Sequence, residues 1–265
     1  MLPFAAMATL DLGTATVGYA VEGTGTPVLL FHGTTMNRTG WDMVRAAMPA
    51  EYQYVMVEFP GSGESSMPAG PIETDHLVSQ ALAVVDHLGI DRFHVAGYSL
   101  GAVAALATAG AAPERVITCT SLCGWATTDA RMRFTFGLWR QLIATDRALF
   151  MRYAVADGFT AGAIAALEPM LEGVIAMGAD TVASGSDAQL ELDERIDISG
   201  LLDRITAPTL VLGGIEDRWV DISHSRALAE AISGASLVEL PAGHLVIQEG
   251  AEAVAGHLHA HVSAA

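Results

Sequence analysis

Short apolar segments alternate with longer amphipathic segments along most of the chain. Most of the apolar segments are continuous runs rich in Val, Leu, Ile and Phe, which is typical of parallel strands buried on both faces. They cover residues 16–22, 28–31, 54–57, 93–96, 116–122, 209–212 and 237–240. The intervening segments have helical periodicity, at residues 41–48, 75–88, 100–111, 223–232 and 251–262. This alternation predicts an α/β fold with a doubly wound, mostly parallel sheet.

One long region departs from the alternation. Residues 125–202 show helical periodicity but no strand-like run, and large apolar residues cluster in their first third. We therefore expect an all-helical cap at 125–202, inserted into a core made of 1–124 and 203–265. The alternative is two ordinary crossover helices with long loops, which is less favoured because loops of that length are uncommon.

Composition and charge narrow the classes of partner. The chain has 265 residues, of which 51% are hydrophobic, and its net charge is −17. Such acidity argues against binding to nucleic acid or to an anionic membrane surface, both of which need a basic footprint. The first seven residues lack the features of a secretory signal, and no apolar run reaches the ~18 residues of a membrane span. We expect a soluble cytoplasmic protein with a small-molecule partner, and homo-oligomerisation stays open.

The two cysteines, Cys119 and Cys123, fall in or next to one predicted strand. Four residues apart in a strand, they are too far from each other to form a disulfide. Two cysteines without nearby histidines also make a poor zinc site. We expect buried free thiols and no metal.

A glycine-flanked serine provides the strongest indication of chemistry. Gly97-Tyr98-Ser99-Leu100-Gly101 follows a predicted buried strand and precedes an alanine-rich helix. A tight turn at this point presents the serine hydroxyl at the carboxyl end of the strand, above the N-terminus of a helix. The two glycines remove side chains that would collide where the helix folds back over the strand. Ser99 is therefore the candidate nucleophile.

A nucleophilic serine that attacks a carbonyl group creates an oxyanion, which two backbone N–H groups must stabilise. Leu100, directly after the serine, provides one candidate. Thr34 provides the other, because it follows Phe31-His32-Gly33 at the end of another buried strand. We expect His32 itself to be a structural residue.

The base and its orienting acid are selected from several candidates. His244 is the one histidine of nine that falls in a loop at the carboxyl end of a predicted sheet strand, where sites collect. For the acid, the strand at 209–212 runs into a glycine turn followed by Glu216 and Asp217. Asp217 is the better candidate, and Glu216 and Asp221 are its rivals. The chain order Ser99, Asp217, His244 matches a known order for such triads.

These motifs together resemble the α/β-hydrolase superfamily over essentially the whole chain. The shared marks are His32-Gly33, the serine turn, a Pro208-to-Asp217 segment and Gly243-His244. Family members often carry Asp-x-Pro-Gly-x-Gly-x-Ser after the fourth strand, where this chain has Glu in place of Asp at residue 58. That acid is usually structural, so the resemblance still implies an active enzyme.

Two departures from the family pattern argue against particular branches of the superfamily. Cofactor-free haloperoxidase-like members commonly have Pro where this chain has Thr35, and dehalogenases and epoxide hydrolases use an Asp nucleophile where it has Ser99. Type II thioesterases resemble the chain less well, because their oxyanion loop lacks His-Gly.

The resemblance implies a serine hydrolase that acts through Ser99, His244 and Asp217 without a cofactor. We expect its substrate to be a small-to-medium, largely apolar ester. A non-hydrolytic, thioester-acting or C–C-cleaving tailoring enzyme with the same triad is an alternative, and a ligand-binding receptor on this fold is less favoured. Candidate pocket residues are Met36, Trp41, Trp125, Phe134, Trp139, Trp219 and Leu245.

Overall fold

The computed structural model describes residues 7–265, which form an eight-stranded sheet flanked by helices. The expectation that no secretory signal begins the chain falls mostly on residues outside this range. In chain order the strands are β1 Met7–Asp11, β2 Thr16–Gly23, β3 Thr26–Phe31, β4 Tyr52–Val57, β5 Phe93–Tyr98, β6 Val116–Leu122, β7 Thr209–Gly214 and β8 Ser236–Leu240.

The sheet is mostly parallel, as the alternation of segments predicted. Its strand order is β1-β2-β4-β3-β5-β6-β7-β8. All pairs from β4 to β8 are parallel, whereas β2 is antiparallel to both of its neighbours, β1 and β4. The carboxyl ends of β3 to β8 therefore lie at the same edge, where the loops that follow them meet.

Twelve α-helices lie between and after these strands in the described part of the chain. They are α1 Asp42–Ala47, α2 Thr74–His87, α3 Leu100–Ala111, α4 Ala130–Thr145, α5 Arg147–Gly158, α6 Ala161–Leu167, α7 Leu171–Thr181, α8 Ser186–Asp193, α9 Ser199–Leu202, α10 Ile222–Ala231, α11 Val246–Glu249 and α12 Ala251–Ser263. Short 3-10 turns at Arg38–Trp41 and Glu168–Met170 complete the set.

The sheet has a hydrophobic core on each face, and the central strand β3 shows how the sequence supplies both. Leu29 and Phe31 point into the core that α2, α3 and α10 cover, whereas Val28 and Leu30 point into the core that α1, α11 and α12 cover. All four side chains are buried. Alternate residues of a strand face opposite sides, so a continuous apolar run is required for a strand in this position.

The region between β6 and β7 is helical, and it holds α4 to α9. In the described residues its only strand-type pairing is an isolated bridge between Thr127 and Asp197. Asp129, Asp146 and Thr160 accept backbone N–H groups at the starts of α4, α5 and α6, which fixes where those helices begin. The last helix, α9, packs against α3 beside Gly110.

The outer face of this helical region carries an apolar segment that the sequence analysis did not expect. Ala161–Thr181 is long and apolar enough to cross a membrane by length and composition, and an 18-residue window within it has a mean hydropathy of 1.3. The expectation that no segment meets this criterion was wrong, because Glu168 and Glu172 interrupt the run without making it polar on average. Only 6% of that window is buried, and Met170 and Met177 are exposed.

Trp41 generates a prediction about stability. Its side chain is buried in the core under α1, and its indole Nε1 donates a hydrogen bond to the carbonyl of Phe31 at 2.9 Å. Trp41→Phe keeps an aromatic ring but leaves that carbonyl short of one donor. We expect the free energy of unfolding in urea to fall by about 1 kcal/mol, with kcat/KM unchanged. A loss of activity at unchanged stability would instead place Trp41 in the substrate pocket.

Candidate active site

Ser99 occupies a strained turn between β5 and α3. Its backbone lies at φ 56° and ψ −121°, a region that residues with a side chain rarely adopt. A Cβ atom at Gly97 would collide with the carbonyl of Gly101, and one at Gly101 would collide with the carbonyls of Phe31 and His32. The two glycines of the motif are thus required by close backbone approach, and the turn lifts Ser99 to the carboxyl edge of the sheet.

The structure brings Ser99, His244 and Asp217 together in one hydrogen-bonded line. The Ser99 Oγ lies 3.0 Å from His244 Nε2, and His244 Nδ1 lies 2.7 Å from Asp217 Oδ2. All three residues are buried. A carboxylate on Nδ1 fixes the tautomer in which Nε2 can accept the serine proton. This geometry is suited to activation of Ser99 as a nucleophile.

The loop after β7 selects Asp217 from the three acidic candidates. One of its carboxylate oxygens, Oδ1, accepts the backbone N–H groups of Trp219 and Val220, both at 2.9 Å, which leaves Oδ2 for His244. Asp221 instead accepts the N–H of Ser223 at the start of α10, and Glu216 is exposed. Neither rival is bonded to the imidazole in the described residues.

His244 is held from several sides. Its carbonyl accepts the hydroxyl proton of Tyr98 at 3.1 Å, and the Tyr98 ring lies 5.3 Å from the imidazole. The next residue, Leu245, donates its N–H to the carbonyl of Gly158 in the cap at 3.0 Å. Glu249 accepts the N–H of Gly243 and, through its other oxygen, the N–H and hydroxyl of Thr160. The histidine loop is therefore fastened to both the core and the cap.

The two amide groups that the sequence predicts for an oxyanion hole belong to Leu100 and Thr34. Leu100 is the first residue of α3, and the first N–H groups of a helix have no acceptor within it. Thr34 follows β3 on a loop, and within residues 7–265 its N–H has no hydrogen-bond acceptor. Both residues are buried. Both N–H groups are therefore available to an external acceptor, as an oxyanion hole requires.

His32 supports that loop and does not act as a base. Its Nδ1 donates to the carbonyl of Gly33 at 2.8 Å, and its Nε2 accepts the N–H of Phe59 at 3.1 Å. Burial lowers the pKa of His32 to about 4, although the bond to Gly33 opposes that shift. The ring is consequently neutral near pH 7, which matches the structural role expected from the sequence.

Glu58, which replaces the more usual Asp, lies next to His32. Burial raises the pKa of Glu58 to about 7, against the opposing effects of the Arg38 N–H and charge. Its Oε2 accepts that N–H at 3.1 Å, and its side chain fills the space beside Gly63. The longer acid thus braces the loops around β3 and β4, away from Ser99.

The predicted pocket residues divide into two groups. Trp219 lies 4.9 Å from the His244 ring, and Trp139 lies 4.4 Å from Trp219, as measured between ring centroids. Leu245 is adjacent to His244 in the chain, and the sulfur of Met36 lies close to Gly33 on the oxyanion loop. These four residues, Met36, Trp139, Trp219 and Leu245, are placed beside the site.

The other three predicted pocket residues are corrected by the structure. Trp41 is buried in the core between the sheet and the helices α1, α11 and α12, where it fills space as a large apolar side chain. Trp125 is fully buried against Phe136, and its indole donates to Thr128. Phe134 is 79% exposed, because it lies on the outward face of α4.

Sequence reasoning did not identify Asp157 or Cys123. Asp157 Oδ2 accepts the indole N–H of Trp219 at 2.9 Å and the hydroxyl of Tyr153 at 3.0 Å, which fixes the tryptophan beside the base. Such a partner on a distant helix leaves no trace in local patterning. Cys123 was assigned only as a buried thiol, and both cysteines are buried and free.

Cys123 lies nearer to the site than its sequence context suggested. It has φ 52°, and its sulfur lies within 4.8 Å of ligating atoms of Asp217 and His244. These three side chains are the one set in residues 7–265 close enough to hold a metal ion. Because Asp217 and His244 are bonded to each other, a metal there would compete with the line to Ser99.

Comparison with known proteins agrees with this fold. The model of the alpha/beta hydrolase family matches residues 28–257. A pyrrolizixenacetamide deacetylase of Xenorhabdus hominickii is 31% identical over 249 residues, covering 92% of this chain and 93% of that protein. A 3-oxoadipate enol-lactonase of Acinetobacter baylyi is 26% identical and covers 89% of each chain. A solved hydrolase from Pseudomonas aeruginosa is 25% identical, with a TM-score of 0.85 over 98% of this chain and 99% of that one.

The protein therefore belongs to the alpha/beta hydrolase family, and it is an enzyme of that family.

Asp217 generates a prediction with matched controls. Asp217→Asn keeps the shape of the side chain but favours the wrong imidazole tautomer, so kcat is expected to fall by about 10⁴-fold with the fold intact. Circular dichroism and steady-state kinetics on an activated ester measure both effects. Glu216→Gln and Asp221→Asn, in the same loop, are expected to retain activity. A larger loss in either control than in Asp217→Asn would move the acid to that residue.

Proposed function

We propose that the protein is a serine hydrolase that cleaves small-to-medium, largely apolar carboxylic esters through an acyl-enzyme. The observation that carries the proposal is the line from Ser99 Oγ through His244 to Asp217, at 3.0 and 2.7 Å, set in the strained turn after β5. A costly backbone conformation that presents a hydroxyl to a correctly oriented imidazole is typical of a nucleophile.

The acylation step follows from this arrangement. Ser99 Oγ attacks the ester carbonyl carbon while His244 Nε2 accepts the hydroxyl proton. The carbonyl oxygen becomes an oxyanion, which accepts hydrogen bonds from the N–H groups of Thr34 and Leu100. Collapse of this intermediate breaks the bond to the alcohol oxygen, and His244 returns the proton to that oxygen. The alcohol leaves, and the acyl group stays on Ser99.

Deacylation repeats these steps with water as the nucleophile. His244 accepts a proton from a water molecule as the water oxygen attacks the acyl carbon. Collapse of the second oxyanion releases the carboxylic acid, and the proton returns to Ser99 Oγ. Asp217 stabilises the imidazolium at each stage and holds its orientation, and no metal or organic cofactor takes part.

The surroundings of His244 support a substrate of limited size. Trp219 lies beside the imidazole, Trp139 packs edge to face on Trp219, and both tryptophans are buried. Asp157 holds the Trp219 ring in place. Large, fixed aromatic rings next to the base leave apolar walls and little room, as in sites for compact apolar groups. This favours short-to-medium acyl esters over long lipids or polymers.

Cleavage of an amide is a second candidate. The deacetylase of Xenorhabdus hominickii, 31% identical to this chain, is named for a substrate that carries an acetamide group. The same triad can protonate an amine leaving group, as it protonates an alcohol. Rates on p-nitrophenyl acetate and p-nitroacetanilide compare ester cleavage with amide cleavage, because both substrates carry an acetyl group and release a coloured nitroaromatic leaving group. Turnover of the anilide alone would mean that the enzyme cleaves amides and not esters.

The remaining alternatives are separated by product analysis. Hydrolysis in ¹⁸O-labelled water places the label in an acid product, whereas a non-hydrolytic use of the triad does not. A receptor on this fold needs no aligned nucleophile and base, so the hydrogen-bonded triad disfavours it. Complete absence of turnover across ester, amide and lactone panels would restore the receptor hypothesis.

Covalent labelling tests the nucleophile. A fluorophosphonate is expected to modify Ser99 and no other serine, because His244 activates that hydroxyl alone. Intact-mass measurement and peptide mapping identify the site, and Ser99→Ala is expected to abolish both labelling and turnover. Ser121, buried nearby on β6, provides the control through Ser121→Ala, which is expected to be labelled at Ser99 as before. Modification of a different serine would refute the assignment.

Chain-length preference tests the role of the tryptophans. Trp219→Leu removes an aromatic wall beside the base, so the ratio of kcat/KM for p-nitrophenyl octanoate to that for the acetate is expected to rise about tenfold, as for pocket changes worth one or more methylenes. Both kcat/KM values are measured on the same preparation, so their ratio does not depend on the fraction of enzyme that is active. Phe134→Leu, on the exposed face of α4, is the control and is expected to leave the ratio unchanged. An unchanged ratio in Trp219→Leu would remove Trp219 from the pocket.

A further inference from the structure

The loop that carries Thr34 is held by the cap as well as by the sheet. The Thr34 hydroxyl donates to Asp193 Oδ2 at 2.6 Å, and the N–H of Thr35 donates to Gln189 Oε1 at 3.0 Å. The carbonyl of Thr35 accepts the N–H of Ala183, also at 3.0 Å. Two successive residues of the loop thus depend on one cap segment, residues 183–193.

The two side chains that reach the loop are themselves fixed. Gln189 and Asp193 are fully buried on α8. Gln189 Nε2 donates to the carbonyl of Pro60 at 3.0 Å and to the hydroxyl of Ser62 at 2.9 Å. The backbone carbonyl of Asp193 accepts the hydroxyl of Thr128 at 2.6 Å. The Gln189 side chain therefore cannot move without breaking hydrogen bonds to the core, and the Thr128 bond holds the backbone from which Asp193 reaches Thr34.

The loop needs such support because its backbone is unfavourable. Thr35 lies at φ 66°, in the left-handed region that a β-branched residue rarely occupies. Conformations of this kind persist only where the surrounding structure enforces them. The bonds from Gln189 and Ala183 enclose Thr35 on both sides, so the direction of the preceding N–H, that of Thr34, depends on them.

Asp193 is a costly choice for a purely structural contact. Its second oxygen, Oδ1, is buried and has no hydrogen-bond partner in the described part of the chain. Burial raises the pKa of Asp193 to about 8, with a smaller contribution in the same direction from Glu194 and an opposing one from Thr34. A buried carboxyl with a raised pKa, next to a catalytic loop, is more typical of a functional site than of a core.

We propose that Asp193 and Gln189 are positioning residues that hold the Thr34 N–H in the oxyanion hole, so that the cap completes the catalytic site of the core. The inference rests on the proposed function, because an oxyanion exists only if Ser99 attacks a carbonyl. It gives the cap a role in the chemical step in addition to enclosing the substrate.

A double-mutant cycle tests the contact between Thr34 and Asp193. Asp193→Leu removes the carboxyl, and Thr34→Val removes the hydroxyl but keeps the N–H. Each is expected to lower kcat about 10- to 100-fold per titrated active site with KM nearly unchanged, because the oxyanion forms only in the transition state. The double variant is expected to lose no more than either single variant, since both changes break one contact. Gln189→Leu is expected to lower kcat in the same way.

Two further variants separate positioning from folding. Asp193→Asn is expected to restore most of kcat, because its amide can still pair with the Thr34 hydroxyl. Glu191→Leu makes a similar change on the exposed side of α8 and is expected to retain wild-type kcat. Active-site titration with a fluorophosphonate normalises every rate to folded, reactive enzyme.

The outcomes distinguish failure of the inference from failure of the proposed function. Three outcomes would overturn the positioning role alone. Asp193→Leu could keep the wild-type kcat per titrated site, its loss of activity could be confined to the titrated fraction, or the losses of the two single variants could multiply in the double variant. Absence of both turnover and Ser99 labelling in the wild-type protein would overturn the proposed function, and the inference with it.

Thermal unfolding gives a second readout. Between the ordinary pKa of 3.8 and about 8, the folded protein keeps the Asp193 proton that the unfolded chain has lost. Stability from this group therefore falls as pH rises through that range, whereas an asparagine cannot contribute such a change. The Tm of Asp193→Asn minus that of the wild type is expected to increase from pH 5 to pH 8. A constant difference would mean that Asp193 is solvated, which contradicts the locked geometry and overturns the inference.

Discussion

The close approach of α3 to β5 and β3 is the constraint on which the site depends. The helix folds back so tightly that the Cβ positions of Gly97 and Gly101 are occupied by neighbouring carbonyl groups. This contact forces Ser99 into its left-handed conformation and exposes its hydroxyl at the carboxyl edge of the sheet. It also leaves the N–H of Leu100 at the start of a helix without an acceptor inside that helix. The position of the Ser99 hydroxyl and the N–H of Leu100 that has no acceptor within its helix therefore both result from one packing contact.

Sheet order then brings the remaining groups to the same edge. The strands β5, β6, β7 and β8 are neighbours, and β3 lies on the other side of β5. Asp217 and His244, which follow β7 and β8, can therefore meet Ser99 although they are more than a hundred residues away in the chain. Hydrogen bonds from Trp219, Val220 and Tyr98 fix the acid and the base, so their positions do not depend on the substrate.

The cap contributes to this site at three points. Glu249 and Gly158 connect the histidine loop to the start of α6 and the end of α5. Asp157 fixes Trp219 beside the base. Asp193 and Gln189 contact the oxyanion loop. The histidine loop, the tryptophan beside the base and the oxyanion loop are therefore each in contact with a cap residue, and a change in the cap can alter geometry as well as access.

The sequence by itself predicted the sheet, the helical insertion and the three residues that the structure brings together, Ser99, Asp217 and His244. Continuous apolar runs identified the buried strands, and glycine spacing identified the turn at Ser99, because both requirements act within a few residues. The edge strand β1 was missed, since Met7–Asp11 alternates between exposed and half-buried positions and has no apolar run.

Only the tertiary structure decided which aromatic residues face the site and which cap residues support it. Nothing in the local sequence separates Trp41, Trp125 and Phe134 from Trp139 and Trp219, yet the first two are buried in the core away from the base and Phe134 is exposed. The contacts of Asp193 and Gln189 with residues 34 and 35 cross more than 150 positions of the chain. Local periodicity records which face of a helix is apolar, but the packing of distant elements determines what that face contacts.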